Sequence, residues 1–156
     1  MEEATLTTIN TFVAQYETLV IATEYEGQPF ATRIFFVEDP TTATGCTLYG
    51  TLITSSRKLA NLKQNPRVGI FIGPDQPSTW LEATAEARVI EDEERANKIR
   101  AKLAEKSPTA AAFISRVPTA AVELKINWLR ITDLTSSSPY TEASFPATTE
   151  AEGQQV

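Results

Sequence analysis

The sequence predicts a mainly β, antiparallel domain with helices at its ends and edge, on three observations. Residues 81–89 alternate cleanly, with Leu81, Ala83, Ala85, Ala87 and Val89 facing one way and Glu82, Thr84, Glu86 and Arg88 the other. One packed face and one solvated face is the habit of antiparallel sheets. Glu26-Gly27-Gln28-Pro29 is turn chemistry between two apolar runs, which makes a hairpin. The length of 156 residues fits one domain that buries roughly 68 to 70% of its unfolded surface.

The elements follow in order. Ile9, Phe12, Val13 and Tyr16 fall on one helical face, so residues 7–16 read as a short helix. Residues 18–23 read as a buried strand, and the run 30–37 beyond the turn as its hairpin partner, with Ala31, Arg33, Phe35 and Val37 sharing a face. A loop rich in Thr with Pro40 separates this from a third strand over 46–51. A helix from Ser56 ends before Pro66, and residues 67–72 return as a strand that stops at Gly73-Pro74. After the alternating strand, Asp92, Glu93 and Glu94 open a helix that runs to about Glu105, with Lys102 and Lys106 near its end. Ser107-Pro108 starts another, Ser as cap and Pro at the first helical position. In the last strand Val122, Leu124 and Ile126 take one phase and Leu129 and Ile131 the other, which predicts a bulge near Asn127. Residues 1–134 form the expected domain. Residues 135–156 are rich in Ser, Thr, Glu, Pro and Gln and read as a disordered or loosely docked tail.

Composition removes several function classes. A net charge of -6 repels nucleic acid, and no apolar stretch approaches the roughly 20 residues of a bilayer span. The single Cys46 has no intrachain partner, and with an acidic N-terminus lacking an apolar signal segment the expectation is a cytoplasmic protein. The chain has no His, so it holds neither a Ser-His-Asp nor a Cys-His triad, no imidazole for haem, and no expected metal site. An organic cofactor is free of that restriction.

Residues 47–68, TLYGTLITSSRKLANLKQNPRV, carry the chemistry. They read as a strand, a hydroxyl-rich turn and a helix whose first turn holds Arg57 and Lys58. The macrodipole makes each cation there unfavourable by about 0.3 to 1 kcal/mol unless an anion sits among them. Ser55 or Ser56 caps the helix, and the free N–H groups of its first turn point at the same place. Two readings are open on these residues alone: a phosphate site, or a plain Ser cap beside two cations that swing into solvent.

The run Ser56-Arg57-Lys58 followed by Asn65-Pro66-Arg67-Val68, with Arg33 on an earlier strand, resembles the pyridoxamine 5'-phosphate oxidase family of FMN-binding split β-barrels. The resemblance extends from about residue 5 to 134. It implies that Ser56, Arg57 and Lys58 grip the FMN phosphate, that Arg33 reaches the same cofactor, and that Gly50 and Thr51 end a strand beside the flavin. Trp80 falls where the oxidases place a Gln near the ring. The turn before Arg57 is longer than theirs, so which of Thr51, Thr54 and Ser55 faces the phosphate is left open. The resemblance also implies a six- or seven-stranded antiparallel split barrel and a homodimer with FMN between subunits. The function it implies is an FMN-dependent oxidoreductase acting on a small-molecule redox substrate. That substrate is not expected to be pyridoxamine 5'-phosphate, because Glu38 replaces the family's strand Lys and the terminal Arg and His pair is missing. A flavin- or tetrapyrrole-binding sensor or carrier, and a deazaflavin-dependent reductase, are the alternatives.

Overall fold

The computed structural model describes residues 1–75 and 78–147. Its elements in chain order are α1 (Glu3–Ala14), β1 (Thr18–Tyr25), β2 (Gln28–Glu38), β3 (Thr47–Ile53), α2 (Arg57–Gln64), β4 (Arg67–Ile72), β5 (Thr79–Val89), α3 (Glu93–Lys106), α4 (Pro108–Arg116), β6 (Thr119–Asp133) and β7 (Tyr140–Ser144). The sheet runs β3-β2-β1-β4-β5-β6-β7, and a further β3–β6 pairing closes the first six strands into an antiparallel barrel. The expected split barrel is therefore present.

Alternation fills the barrel. Leu19 and Ile21 of β1, Ile34 and Phe36 of β2, Ile70 and Ile72 of β4, Leu81 and Ala83 of β5, and Leu129 and Ile131 of β6 all point inward and are buried. Ile9, Phe12 and Val13 of α1 and Leu59 and Leu62 of α2 join the same core. The helix α1 starts four residues before the sequence pattern predicts, since its first turn is polar and has no side-chain cap to mark it. The β1–β2 turn places Glu26 (φ 50) and Gly27 (φ 81) in the left-handed region that a tight hairpin needs.

The helices α3 and α4 cover part of the outer surface. Ile99 and Leu103 pack with Val37, Tyr49 and Ala121 in a second cluster, and Phe113 of α4 meets Phe35 of β2 with ring centroids 5.7 Å apart. Buried Ser107 joins the two helices: its N–H donates to Leu103 O at the end of α3, and its Oγ accepts from Ala110 N at the start of α4. The Ser-Pro start of α4 is as predicted.

The bulge lies where the phase change put it. Thr84 pairs with Trp128 and Ala85 with Ile126, so Asn127 is the extra residue. It divides β6 between two partners. Before the bulge, residues 119–125 pair with β3; after it, residues 128–132 pair with β7.

That handover docks part of the segment expected to be a disordered or loosely docked tail. Residues 140–144 form a strand, Ala143 and Phe145 are buried in the barrel core, and Phe145 N donates to Asn127 O at 2.9 Å. A polar composition hid this, because an edge strand needs only alternate residues inward. β6 also leaves a row of open backbone groups where β3 ends. Residues 148–156 of the expected tail lie outside the described residues.

Candidate functional site

The helix α2 is fixed before it is charged. Leu59 and Leu62 hold it to the core, buried Asn61 donates from Nδ2 to Thr23 Oγ1 at 3.2 Å, and Asn65 donates to Glu24 Oε2 at 2.7 Å. Glu24 is held below its ordinary value, first by the Gly27 N–H and then by the Asn65 amide. The β1–β2 hairpin and α2 are thus tied together, and the start of the helix is set against the hairpin tip.

Ser56 is the N-cap, its Oγ accepting from Leu59 N at 3.4 Å, and the first turn contains no acidic residue. The N–H groups of Arg57 and Lys58 lead the helix with no intrahelical acceptor. The Arg57 guanidinium carbon stands 4.7 Å from the centroid of the Phe30 ring, and Lys58 Nζ lies 3.5 Å from Thr32 Oγ1. An open groove of about 790 Å³ runs along this helix start, walled by Tyr25, Gln28 and Phe30 of the hairpin and by Ser55, Ser56 and Arg57. The donors and the two cations suit a phosphate, and the two aromatic walls suit a planar group attached to it.

Ser55, Ser56 and Arg57 therefore line one groove, with Lys58 beside it. The other candidates are placed elsewhere in the protomer. Arg33 is exposed on the outer face of β2, next in sequence to Thr32, and lines a small crevice with Val20, Phe71 and Asp75. Gly50 is a packing requirement: a Cβ there would stand 2.8 Å from Ile34 Cδ1 and 3.2 Å from the Phe35 carbonyl oxygen. Thr51 is 2% exposed, and among the described residues its Oγ1 has no hydrogen-bond partner; it shares its strand face with Tyr49, toward α3. Trp80 is half-buried on the outer face of β5, beyond the far end of β4, about 20 Å of strand away from α2.

Sequence reasoning missed Phe30 and Tyr25, since only the folded hairpin brings them over α2. The substitution at Glu38 has a structural partner: Lys106 Nζ lies 3.0 Å from Glu38 Oε1 and 3.9 Å from the centroid of the Phe36 ring. Burial holds the Lys106 ammonium below its ordinary value, and Glu38 opposes that shift. Among the described residues no group of three His, Cys, Asp or Glu is placed to hold a metal, and no helix is long and apolar enough to cross a membrane.

A closed antiparallel barrel with a basic, Ser-capped helix start beside an open groove defines a split-barrel protein. The chain belongs to the pyridoxamine 5'-phosphate oxidase family, whose model matches residues 6–133. No curated protein matches it. Solved structures share the fold at low identity. One is a protein related to general stress protein 26, of the pyridoxinephosphate oxidase family, from Clostridium acetobutylicum (14% identity, 92% of this chain and 96% of that one, TM-score 0.71). Others are HutZ, the heme storage protein of Vibrio cholerae (22%, 77% and 88%, 0.63), and a heme binding protein from Mycobacterium smegmatis (16%, 92% and 59%, 0.68).

Proposed function

We propose that the protein is an FMN-dependent oxidoreductase whose cofactor phosphate sits at the start of α2. The observation that carries this is the first turn itself: Ser56 as cap, Arg57 and Lys58 as the only charges, and a groove with aromatic walls at its mouth. The phosphate would take the free N–H groups and the two cations, which offsets their unfavourable position on the macrodipole. Arg33, next to the Thr32 that Lys58 reaches, would approach from the outer face. When bound, the flavin supplies the hydride-accepting atom, and the protein supplies placement and electrostatics. Hydride transfer to a flavin needs no side-chain base, so the absence of His is no obstacle. The substrate is a small redox molecule, with a nicotinamide cofactor as the electron donor.

Heme is the second reading, favoured by the heme-binding neighbours of this fold. Its weakness is the ligand. Cys46 is buried with its thiol pushed above its ordinary value by burial, which leaves the exposed phenol of Tyr25 at the groove as the candidate. Absorbance of the purified protein separates oxidised flavin, deazaflavin and heme.

The decisive experiment compares FMN with riboflavin. Arg57→Ala or Lys58→Ala is expected to weaken FMN binding by about 10- to 100-fold, because a charge-assisted hydrogen bond contributes about 1.5 to 3 kcal/mol. Riboflavin binding stays within about two-fold. Equal losses for both ligands would show that α2 does not hold the phosphate.

A further inference from the structure

The two cations at the start of α2 are held by uncharged partners on a single strand. Arg57 and Lys58 are consecutive on a helix, so their side chains leave the axis about 100° apart and would ordinarily diverge. Phe30 and Thr32 are two apart on β2, so they share one strand face at a separation of about 7 Å. The Arg57 guanidinium carbon stands 4.7 Å from the centroid of the Phe30 ring, and Lys58 Nζ lies 3.5 Å from Thr32 Oγ1. The strand thus gathers both charges on one side of the helix start, although Arg57 is exposed and its stem is free to swing into solvent.

The choice of partners keeps both charges available. Among the described residues no carboxylate forms an ion pair with Arg57 or Lys58, not even Glu26, which lines the groove with Arg57. A carboxylate at position 30 or 32 would hold the cations and neutralise them. A ring and a hydroxyl hold them and do not. A guanidinium over an aromatic face is attracted through its charge and uses none of its N–H donors, so all five remain for an anion. The Thr32 hydroxyl takes one of the three donors of the Lys58 ammonium and leaves two. The strand is itself fixed against the helix: Phe30 is the register partner of Thr23, whose Oγ1 accepts from Asn61 Nδ2 at 3.2 Å, one turn along α2 from Arg57.

We infer that Phe30 and Thr32 are positioning residues for the cofactor phosphate, which hold Arg57 and Lys58 at the helix start before the anion arrives. The entropy of ordering two long side chains is then lost on folding and not on binding. The inference rests on the reading of α2 as the phosphate site, and extends that site to two residues that bring no charge to it.

The test reads the preference for FMN over riboflavin, taken as the ratio of their dissociation constants, which isolates the phosphate from whatever the ring contributes. Phe30→Leu keeps apolar bulk without the aromatic face and is expected to lower the preference by about three- to ten-fold, whereas Phe30→Tyr stays within about two-fold of wild type. Thr32→Val, of the same shape without the hydroxyl, is expected to lower it by about three-fold, and Thr32→Ser to retain it. In the Arg57→Ala protein, Phe30→Leu is expected to change the preference by less than about two-fold, because the ring has no guanidinium left to hold. If Phe30→Leu folds poorly, Thr32→Val in wild-type and Lys58→Ala backgrounds carries the same comparison. Phe30→Leu and Thr32→Val proteins with the wild-type preference overturn the inference, and so does a loss as large without the cation as with it. Should Arg57→Ala lower the preference while Phe30→Leu does not, the inference fails and the phosphate reading stands. A preference unchanged by Arg57→Ala and by Lys58→Ala, or a wild type that binds neither ligand, overturns both.

Discussion

Phe145→Ala tests the docking of the C-terminal strand. The Phe145 side chain is 5% exposed and packs in the barrel core with Ala143, while its own N–H is pinned to Asn127 O. Truncation removes the transfer free energy of the ring and leaves a void between β6 and the base of the barrel. Buried Phe→Ala changes cost about 3 to 5 kcal/mol. For a chain of this size each kcal/mol lowers Tm by about 2 to 4 °C, so a fall of about 10 °C is expected. Urea unfolding followed by far-UV circular dichroism gives the same quantity as a shift in midpoint at unchanged slope. Residues 146 and 147 are exposed and supply a control: Pro146→Ala is expected within about 0.5 kcal/mol of wild type. A loss below about 1 kcal/mol for Phe145→Ala would refute the argument, because a ring that is truncated without cost is not part of the core.

Two further outcomes are expected. Gly50→Ala should destabilise by about 1 to 3 kcal/mol whether or not a cofactor is present, since the new Cβ meets a core side chain and a backbone carbonyl that cannot both yield; an unchanged midpoint in the cofactor-free protein would show that they can. Glu24, held below its ordinary value of 4.5 by the Gly27 N–H and the Asn65 amide, contributes stability that is present above pH 4.5 and lost as pH falls through its folded value. The stability gap between wild type and Glu24→Gln should therefore be widest above pH 4.5 and close on acidification; a gap constant with pH would rule out that carboxylate as the cause.

The barrel was legible where local chemistry sets the boundary. Asn65-Pro66 stops α2, Gly73-Pro74 stops β4, Ser107-Pro108 starts α4, and the phase change at Asn127 marks a bulge that the register confirms. The strand β7 was illegible because Tyr140, Glu142 and Ser144 face outward, and the inward phase is carried only by half-buried Thr141, small Ala143 and, just past the strand, Phe145. The need for that strand arises on β6, where β3 runs out, and no pattern within residues 140–145 records it. The candidate site divides in the same way. Ser56, Arg57 and Lys58 announce themselves by a cap and by charges that oppose the macrodipole. Phe30 under Arg57 does not, because it arrives on a hairpin; nor does Lys106, which meets Glu38 from 68 residues further along the chain.

The handover at Asn127 gives the two halves of β6 different lifetimes. Barrel closure depends on residues 119–125, all paired with β3 on one side, with 122–125 also paired with β5 on the other. Residues 128–132 keep β5 but depend on β7 for their second neighbour. Peeling β7 away would open that second edge without unzipping the barrel. Within one continuous strand, amides before the bulge should exchange with solvent only when the whole domain opens, whereas those turned toward β7 after it can exchange by a smaller, earlier event. The extra residue thus works as a firebreak: what loosens the end of the chain stops at Asn127, and the half of β6 that closes the barrel does not feel it.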